Sequence, residues 1–353
     1  MALLLDATTR SGAAVKLRGS NCMTIGLVNN MPDAAFAATE RQFLDLIRAA
    51  ASNAVVQLKL FSIADVPRAD TVRRIAAERY RDISELWDTR LDGLVVTGTE
   101  PRAANLKDEP YWPVLTRLVD WARQNTVSAV WSCLAAHAAV LHAEGIARRP
   151  LKEKKFGVFE CDAVAAHQLM TGVGPSLRMP HSRCNDLPER ALTRRGYRLL
   201  TRSAATGADA FVREEQGGSL FVFFQGHPEY DTDTLAREYR RDIGRFLRGE
   251  QQHYPTLPEG YFNVAATALM NRFRSRAVSE RDPGLIADFP VAALESGLEN
   301  GWRQPAIRIY GNWIVHLQER KAQRRMSPVP VPRSGAVQRI GGVRRAADRW
   351  SAR

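Results

Sequence analysis

The feature that most constrains the fold is a regular alternation of short apolar runs with helical patterns. Apolar runs rich in β-branched residues occupy positions 22–30, 55–63, 91–101 and 127–131, and a helical pattern follows each of them. Strands that alternate with helices predict an α/β protein with a mostly parallel sheet and helices on both faces. In such proteins ligands bind at the carboxyl ends of the strands, so reactive residues are expected there.

The helical segments carry their own signals. Apolar residues recur at helical spacing in 37–51, 73–87 and 111–125, and the pattern returns in 232–249 and 302–321. A further apolar run at 220–224 leads into the polar sequence QGHPEYD. That change predicts a strand that ends in a turn rich in ionisable side chains.

Composition bounds the class of protein. The chain has 353 residues, of which 45% are hydrophobic and 25% charged, enough for one large α/β core or two smaller ones. The apolar run at the N-terminus is cut short by Asp6, so we expect neither a secretory signal nor a membrane span and predict a cytoplasmic protein. The four cysteines form no C-x-x-C pair, so no disulfide framework and no metal site is predicted.

The positive charge is concentrated at the C-terminus. Residues 319–353 contain ten basic and two acidic residues, and so carry eight of the twelve net positive charges. Proline and glycine interrupt this stretch, which is too poor in apolar residues to bury a core. We therefore predict an N-terminal extension (1–20), one domain of the size of an enzyme (21–318) and a basic, disordered tail (319–353). Nucleic-acid binding is not favoured for the domain.

Cys133 stands where the run VSAVW passes into an alanine-rich helical pattern. The N-terminus of a helix favours a thiolate, and its unpaired amides can stabilise an oxyanion. A thiol nucleophile also needs a general base and an acceptor that orients the base. His227 and Glu229, two residues apart after the run 220–224, offer both. The other interpretation is a packed cysteine and an ordinary polar histidine.

Several sequence blocks carry a family resemblance. SCLAAHAAVLHAEGI, KEKKFGVFE, PHSR, QGHPEYDTDTLAREYRRD and WRQPAIRIYGNWIVHL occur in this order between positions 22 and 318. Together they resemble the homoserine O-acyltransferase family, whose members transfer a succinyl or acetyl group in methionine biosynthesis. The resemblance implies a class I glutamine amidotransferase-like, flavodoxin-like core. It implies acyl-CoA and a hydroxy amino acid as substrates, and no cofactor.

The same resemblance assigns catalytic roles by position. Cys133 would take the acyl group as a thioester, His227 would be the general base, and Glu229 would orient it. Backbone amides at Leu134 and in the turn at Gly98 would hold the oxyanion.

Substrate-binding roles are also implied by the resemblance. They fall on Lys154 in EKKFGV, on Ser182 in PHSR and on Arg241 in EYRRD. Arg183 is a second candidate for binding a carboxylate. The two cations at 154 and 241 suit either the carboxylate of an amino acid or the anionic groups of acyl-CoA.

Two departures from the family pattern bear on the choice of substrates. Asp33 stands where the family has a lysine after the first strand. Arg102 falls at the position associated with the choice of acyl donor, where it would favour an anionic succinyl group by charge pairing, unless Glu100 takes its place.

These departures leave alternatives open. The donor is succinyl or acetyl, and the acceptor is homoserine or another hydroxy amino acid such as serine. A glutamine amidotransferase-type hydrolase shares the same catalytic residue types, although no glycine flanks Cys133. A regulatory protein that binds nucleic acid through its tail is the non-enzymatic alternative, and the assembly state, including a homodimer, stays open.

Overall fold

A computed structural model describes residues 2–6, 22–33, 35–291 and 297–326 of the chain. Thirteen strands occur in these ranges: β1 Ala2–Asp6, β2 Cys22–Val28, β3 Val55–Ser62, β4 Arg81–Asp82, β5 Gly93–Val96, β6 Ser128–Ser132, β7 Arg149–Ala163, β8 Ser176–Asp186, β9 Arg198–Leu199, β10 Thr201–Ser203, β11 Gly207–Ala208, β12 Ala210–Glu214 and β13 Leu220–Phe224. The α-helices are α1 Phe36–Ala50, α2 Asp70–Arg79, α3 Trp112–Asn125, α4 Leu134–Glu144, α5 Glu189–Arg194, α6 Thr234–Leu247, α7 Val264–Glu280 and α8 Arg303–Met326. Short 3-10 helices lie at Ile83–Leu86, Leu106–Asp108, Gln168–Met170 and Pro283–Asp288.

The central sheet is mostly parallel, as the alternation predicts. Its strand order is β1-β3-β2-β5-β6-β13-β12-β9, with β4 paired to β3, and only the pairs made by β12 are antiparallel. Strand β6 lies between β5 and β13, with Trp131 opposite Val96 and Ser132 opposite Phe224. The carboxyl ends of these three neighbouring strands therefore meet at one edge.

Helices cover both faces of this sheet, which confirms the α/β prediction. On one face α1 and α8 bury Phe43, Trp313 and their neighbours against the sheet. On the other face α3 and α4 bury Leu118 and a row of alanines from α4. Helices α6 and α7 form a third cluster with β7, centred on Tyr239.

A second, smaller sheet is the part of the fold that the alternation does not predict. It has the order β11-β10-β7-β8, and its pairs are antiparallel. Strand β8 carries the PHSR block, and the backbone N–H of His227 donates to the carbonyl of Pro180 in β8 (2.8 Å). This sheet therefore packs directly against the strand end that carries His227.

Three boundaries differ from prediction. The helix predicted at 73–87 ends at Arg79, because Tyr80 turns inward and bonds to Glu40 and Asn29 in the core. The predicted N-terminal extension contributes β1, which pairs in parallel with β3. Helix α8 continues through 319–326, the start of the predicted disordered tail, since Lys321 is tied to Asp92 (2.6 Å). Residues 327–353 lie outside the described ranges.

No helix in the described ranges has both the length and the apolar character that crossing a membrane requires.

Candidate active site

Cys133 occupies a strained turn between β6 and α4. Its backbone has φ +52° and ψ −114°, a region that L-residues with side chains rarely adopt. The Cys133 N–H donates to the carbonyl of Phe224 (2.7 Å), which fixes the turn against β13. Such a turn holds a nucleophile at the top of a parallel sheet, ahead of the unpaired amides of a helix N-terminus. The thiol is partly exposed at this position.

His227 and Glu229 meet at the neighbouring strand end. The Nδ1 atom of His227 lies 2.8 Å from Oε1 of Glu229, and its ring stacks on Tyr230 with centroids 4.2 Å apart. The His227 side chain also forms a hydrogen bond with Cys133. Burial opposes the charged imidazole, but Glu229 and Cys133 outweigh it and hold the pKa of His227 well above its usual range. The structure thus brings together the three residues that the sequence proposes as catalytic.

Gly98 packs closely against the turn that carries Cys133. A Cβ added at this glycine would lie 3.1 Å from the backbone nitrogen of Leu134 and 3.3 Å from Cβ of Cys133. The preceding Thr97 is fixed by Asn30, whose backbone N–H donates to Oγ1 of Thr97 (2.8 Å). Gly98 therefore lies close to the backbone nitrogen of Leu134, and Asn30 is a contact of this turn that sequence analysis missed.

The predicted cations Lys154 and Arg241 share one carboxylate. Nζ of Lys154 lies 3.0 Å from Oδ2 of Asp242, and Nη2 of Arg241 lies 2.8 Å from Oδ1. Burial alone would raise the pKa of Asp242, but Lys154 and Arg241 outweigh it and lower that pKa. Asp242 holds both cations in place. Both are also partly exposed, so their remaining N–H donors stay accessible.

Ser182 joins the His227 side of the site through a carboxylate. Its hydroxyl donates to Oε2 of Glu238 (2.5 Å), and the hydroxyl of Tyr230 donates to Oε1 of the same group (2.6 Å). Sequence analysis missed Glu238 and Asp242. The spacing of the two acids could have indicated them. They are four residues apart on helix α6, so they share one helical face, and Arg241 lies between them in the sequence.

Arg183 does not fit the predicted role of a carboxylate clamp. Its side chain is 2% exposed, and its guanidinium donates to His181, to Asp186 and to the carbonyls of Asn185 and Thr206. These internal partners occupy most of the N–H donors of its guanidinium. We therefore leave Arg183 out of the proposed substrate site.

The two departures from the family pattern have structural contacts of their own. The carboxylate of Asp33 accepts the N–H of Ala69 (2.9 Å), just ahead of helix α2. Arg102 is exposed, and its backbone N–H donates to Oε1 of Glu109 (2.5 Å). Glu100, the alternative to Arg102, pairs with Arg245 (3.1 Å). The contacts of Arg102 that the structure shows are thus main-chain contacts.

Three buried residues from distant parts of the chain form a cluster behind His227. Potential ligand atoms of Cys161, His181 and Asp209 lie within 4.8 Å of one another, a grouping that linear spacing could not reveal. Nδ1 of His181 accepts from Nε of Arg183 (3.3 Å), which places the proton on Nε2, 3.4 Å from Oδ1 of Asp209. A protonated Nε2 has no lone pair for a metal ion. Within the described residues Nε2 of His181 has no hydrogen-bond partner, so its 3.4 Å approach to Asp209 is an electrostatic contact only.

The fold and the site define an α/β protein with a cysteine on a strained turn between β6 and α4 and a His–Glu pair at the neighbouring strand end. Comparison with known proteins specifies the class further. Residues 9–323 match the model of the family described as HTS: Homoserine O-succinyltransferase. The chain belongs to this family of enzymes.

Curated relatives carry the same name. A homoserine O-succinyltransferase from Rhodopseudomonas palustris is 49% identical over 83% of this chain and 87% of its own length. One from Bradyrhizobium japonicum is 45% identical over 90% of this chain and 100% of its own. Among solved structures, a glutamine amidotransferase from Methylobacillus flagellatus is 15% identical, with a TM-score of 0.46 over 84% of this chain and 95% of that one.

Proposed function

We propose that the protein transfers a succinyl group from succinyl-CoA to the hydroxyl of L-homoserine through an acyl-cysteine at Cys133. The observation that carries the proposal is the contact of Cys133, on its strained elbow, with the His227–Glu229 pair. The choice of succinyl and homoserine follows the name shared by the family model and the curated relatives.

In the first half-reaction His227 takes the proton of the Cys133 thiol. The thiolate attacks the thioester carbonyl of the donor, and the N–H groups of Leu134 and Gly98 stabilise the oxyanion that forms. When the tetrahedral intermediate collapses, the bond to the CoA sulfur breaks, and the imidazolium of His227 returns its proton to that sulfur. Glu229 stabilises the imidazolium throughout this step.

In the second half-reaction His227 acts as general base toward the acceptor. It removes the proton of the homoserine hydroxyl as the oxygen attacks the acyl-cysteine, and Cys133 leaves as a thiolate that is reprotonated. A neutral imidazole is needed at this stage, and the departure of CoA with its proton supplies it. One histidine therefore serves both halves of the reaction.

The acceptor amino acid carries an ammonium and a carboxylate. Lys154 and Arg241 supply fixed positive charge for the carboxylate. Asp242 orients both cations, but its single negative charge balances only one of their two positive charges. The Glu238 carboxylate, which already accepts from Ser182 and Tyr230, supplies negative charge for the ammonium. This division supports an acceptor position on the His227 side of the thiol.

Mass spectrometry of the intact protein tests the proposal. The wild-type protein is mixed with succinyl-CoA or acetyl-CoA in the absence of acceptor, and the peptide that contains Cys133 is analysed. We expect a succinyl adduct that is lost when homoserine is added and that persists when serine is added. Cys133→Ala should give no adduct.

Other outcomes would contradict the proposal in different ways. Label that remains on the protein in Cys133→Ala would indicate another nucleophile. Faster acetylation than succinylation would reverse the donor. Release of ammonia from glutamine, without acyl transfer, would support the amidotransferase alternative.

A further inference from the structure

His137 is the one polar side chain in the first two turns of helix α4. Residues 134–140 read LAAHAAV, and all seven are buried. Alanine side chains make few of the contacts that lock a helix against a sheet, so this helix is held weakly by packing. Burial of an imidazole is also unfavourable unless the ring forms a hydrogen bond. A histidine at this place therefore needs a partner that repays its burial.

The partner of His137 is Gln225, the residue that follows strand β13. Nε2 of His137 lies 2.9 Å from Oε1 of Gln225, and both side chains are buried. Gln225 precedes His227 by two residues. His137 lies one helical turn after Cys133, and its backbone N–H donates to the carbonyl of Cys133 (3.2 Å). The bond therefore joins the helix of the nucleophile to the strand end that carries the base.

The other contacts of Gln225 fix the direction of this hydrogen bond. The backbone N–H of Leu187 donates to Oε1 of Gln225 (3.0 Å), and Nε2 of Gln225 donates to the carbonyl of Ala208 (2.6 Å). These contacts orient the amide, so Oε1 is the acceptor and Nε2 of His137 carries the proton. Burial lowers the pKa of His137 to about 3, so the ring is neutral at physiological pH. His137 is thus a fixed donor.

A second hydrogen bond attaches the same helix one turn earlier. The N–H of Cys133 donates to the carbonyl of Phe224, the residue before Gln225. A single attachment would let the start of the helix pivot, whereas two attachments one turn apart fix its direction. That direction sets how the thiol of Cys133 and the amide of Leu134 face His227, and reacting groups tolerate little misplacement.

We propose that His137 is a positioning residue, whose hydrogen bond to Gln225 holds the first turn of α4, and with it Cys133, against His227. The inference rests on the proposed function, because it takes His227 as the base that serves Cys133. His137 touches no substrate in this scheme. Its loss should therefore slow the chemical step and leave the binding of the donor unchanged.

Substitutions of His137 separate the hydrogen bond from the volume of the ring. His137→Gln keeps an N–H donor, whereas His137→Leu fills the space without one. In single-turnover acylation at increasing succinyl-CoA, the maximal rate should fall about 10- to 100-fold in His137→Leu and stay within about threefold of wild type in His137→Gln. The half-saturating concentration of succinyl-CoA should change less than about twofold in either variant.

Alkylation by iodoacetamide is a readout that needs neither substrate. The reagent reacts with the thiolate, which forms when His227 accepts the proton of Cys133. His137→Leu should slow alkylation of Cys133 about fivefold or more, the effect of one lost hydrogen bond, and His137→Gln should restore it. Cys184 is exposed, so its alkylation in the same sample is the internal reference and should not change.

His142→Leu is the matched control on the same helix. This second histidine of α4 is partly exposed and pairs with Asp120 (2.9 Å), so its loss should change neither rate by more than about twofold. Thermal melting of each variant gives the folded fraction to which the rates are referred. If His137→Leu is not folded, His137→Asn tests the same point, because its shorter side chain keeps polarity but not the reach to Gln225.

Each contrary result overturns the inference. Wild-type rates per folded molecule in His137→Leu would mean that the bond to Gln225 only supports the fold. Equal losses in His137→Leu and His137→Gln would assign the effect to the shape of the ring. A higher half-saturating concentration of succinyl-CoA with an unchanged maximal rate would place His137 in substrate binding. Wild-type protein that is alkylated at Cys133 but never acylated would contradict the proposed function alone, and alkylation of the His137 variants would then decide the inference.

Discussion

Two buried histidine–carboxylate pairs lie at the same end of the sheet and behave differently. In the first, His227 lies 2.8 Å from Glu229 and its pKa is raised well above the usual range. In the second, His181 lies 3.4 Å from Asp209, burial lowers the pKa of His181, and burial raises that of Asp209 to about 6. Two pairs of an imidazole with a carboxylate thus favour opposite protonation states.

The surrounding charges explain the difference. His227 faces two groups that favour its cation, Glu229 and Cys133, and it is 8% exposed. His181 is fully buried and faces the cation of Arg183, which disfavours a second positive charge. The first pair is therefore suited to carrying a proton. The second is suited to holding the segment 225–227, because Oδ1 of Asp209 accepts the N–H of Gly226 (3.2 Å).

The largest effect is expected from removing the imidazole of the first pair. His227→Asn should slow both half-reactions by roughly 100- to 10,000-fold, the usual range for a general base, with little change in melting temperature. The measurement is the rate of adduct formation and of its loss to homoserine.

His181→Asn is the matched change in the second pair. It should lower the melting temperature while the rate per folded molecule stays within about tenfold of wild type, since His181 transfers no proton in the mechanism. Equal losses of rate in the two variants would remove the functional distinction between the pairs.

The next largest effect is expected at the glycines that adjoin the two pairs. A Cβ at Gly226 would lie 2.5 Å from Cγ of Met179 and 2.6 Å from Oδ1 of Asp209. Gly226→Ala should therefore lower the free energy of unfolding by about 1–3 kcal/mol, as overpacking does. Gly98→Ala instead crowds the amide of Leu134, so it should lower the rate about 100-fold and change stability little. Denaturant unfolding and acylation rates, measured on both variants, check the contrast.

The difference between the pairs also shows what the sequence could reveal. Cys133 and His227 each follow an apolar run of a parallel sheet, so their strand-end positions follow from local pattern alone. Glu229 is two residues from His227 and is equally visible. The proposed catalytic residues and their proximity were therefore predictable. The polar contacts of Glu238 and Asp242 could not be predicted, because they depend on how α6 packs against the site.

Cys161, His181 and Asp209 could not be grouped from sequence. They lie in or beside the antiparallel sheet, and their proximity depends on pairings between strands that no helical or strand period specifies. Arg183 illustrates the same limit, because its position next to Ser182 in PHSR suggests a substrate contact. Alternation along β8 turns its side chain inward instead.

A smaller effect is expected from the titration of the second pair. The pKa of Asp209 is raised by burial to about 6, so the folded protein retains this proton as the pH rises above the value at which the unfolded chain loses it. Its contribution to stability is present at low pH and is lost as the pH rises through about 6. Asp209→Asn has no carboxyl group that titrates here. Its free energy of unfolding should lie below that of wild type, and this difference should shrink by about 1–3 kcal/mol between pH 4 and 6. Urea unfolding across this range measures it, and a constant deficit would contradict the assignment.

The smallest effect is expected from the ring that stacks on His227. Tyr230 lies nearly parallel to His227, whereas Phe159 meets the ring of His181 edge-on, with centroids 5.8 Å apart. Tyr230→Phe keeps the stacking and removes only the hydroxyl that bonds to Glu238. Acylation by succinyl-CoA should then change less than about threefold, while the KM for homoserine should rise a few-fold because the carboxylate of Glu238 is less well fixed. A larger loss in acylation than in homoserine affinity would instead assign the hydroxyl to the proton transfer at His227.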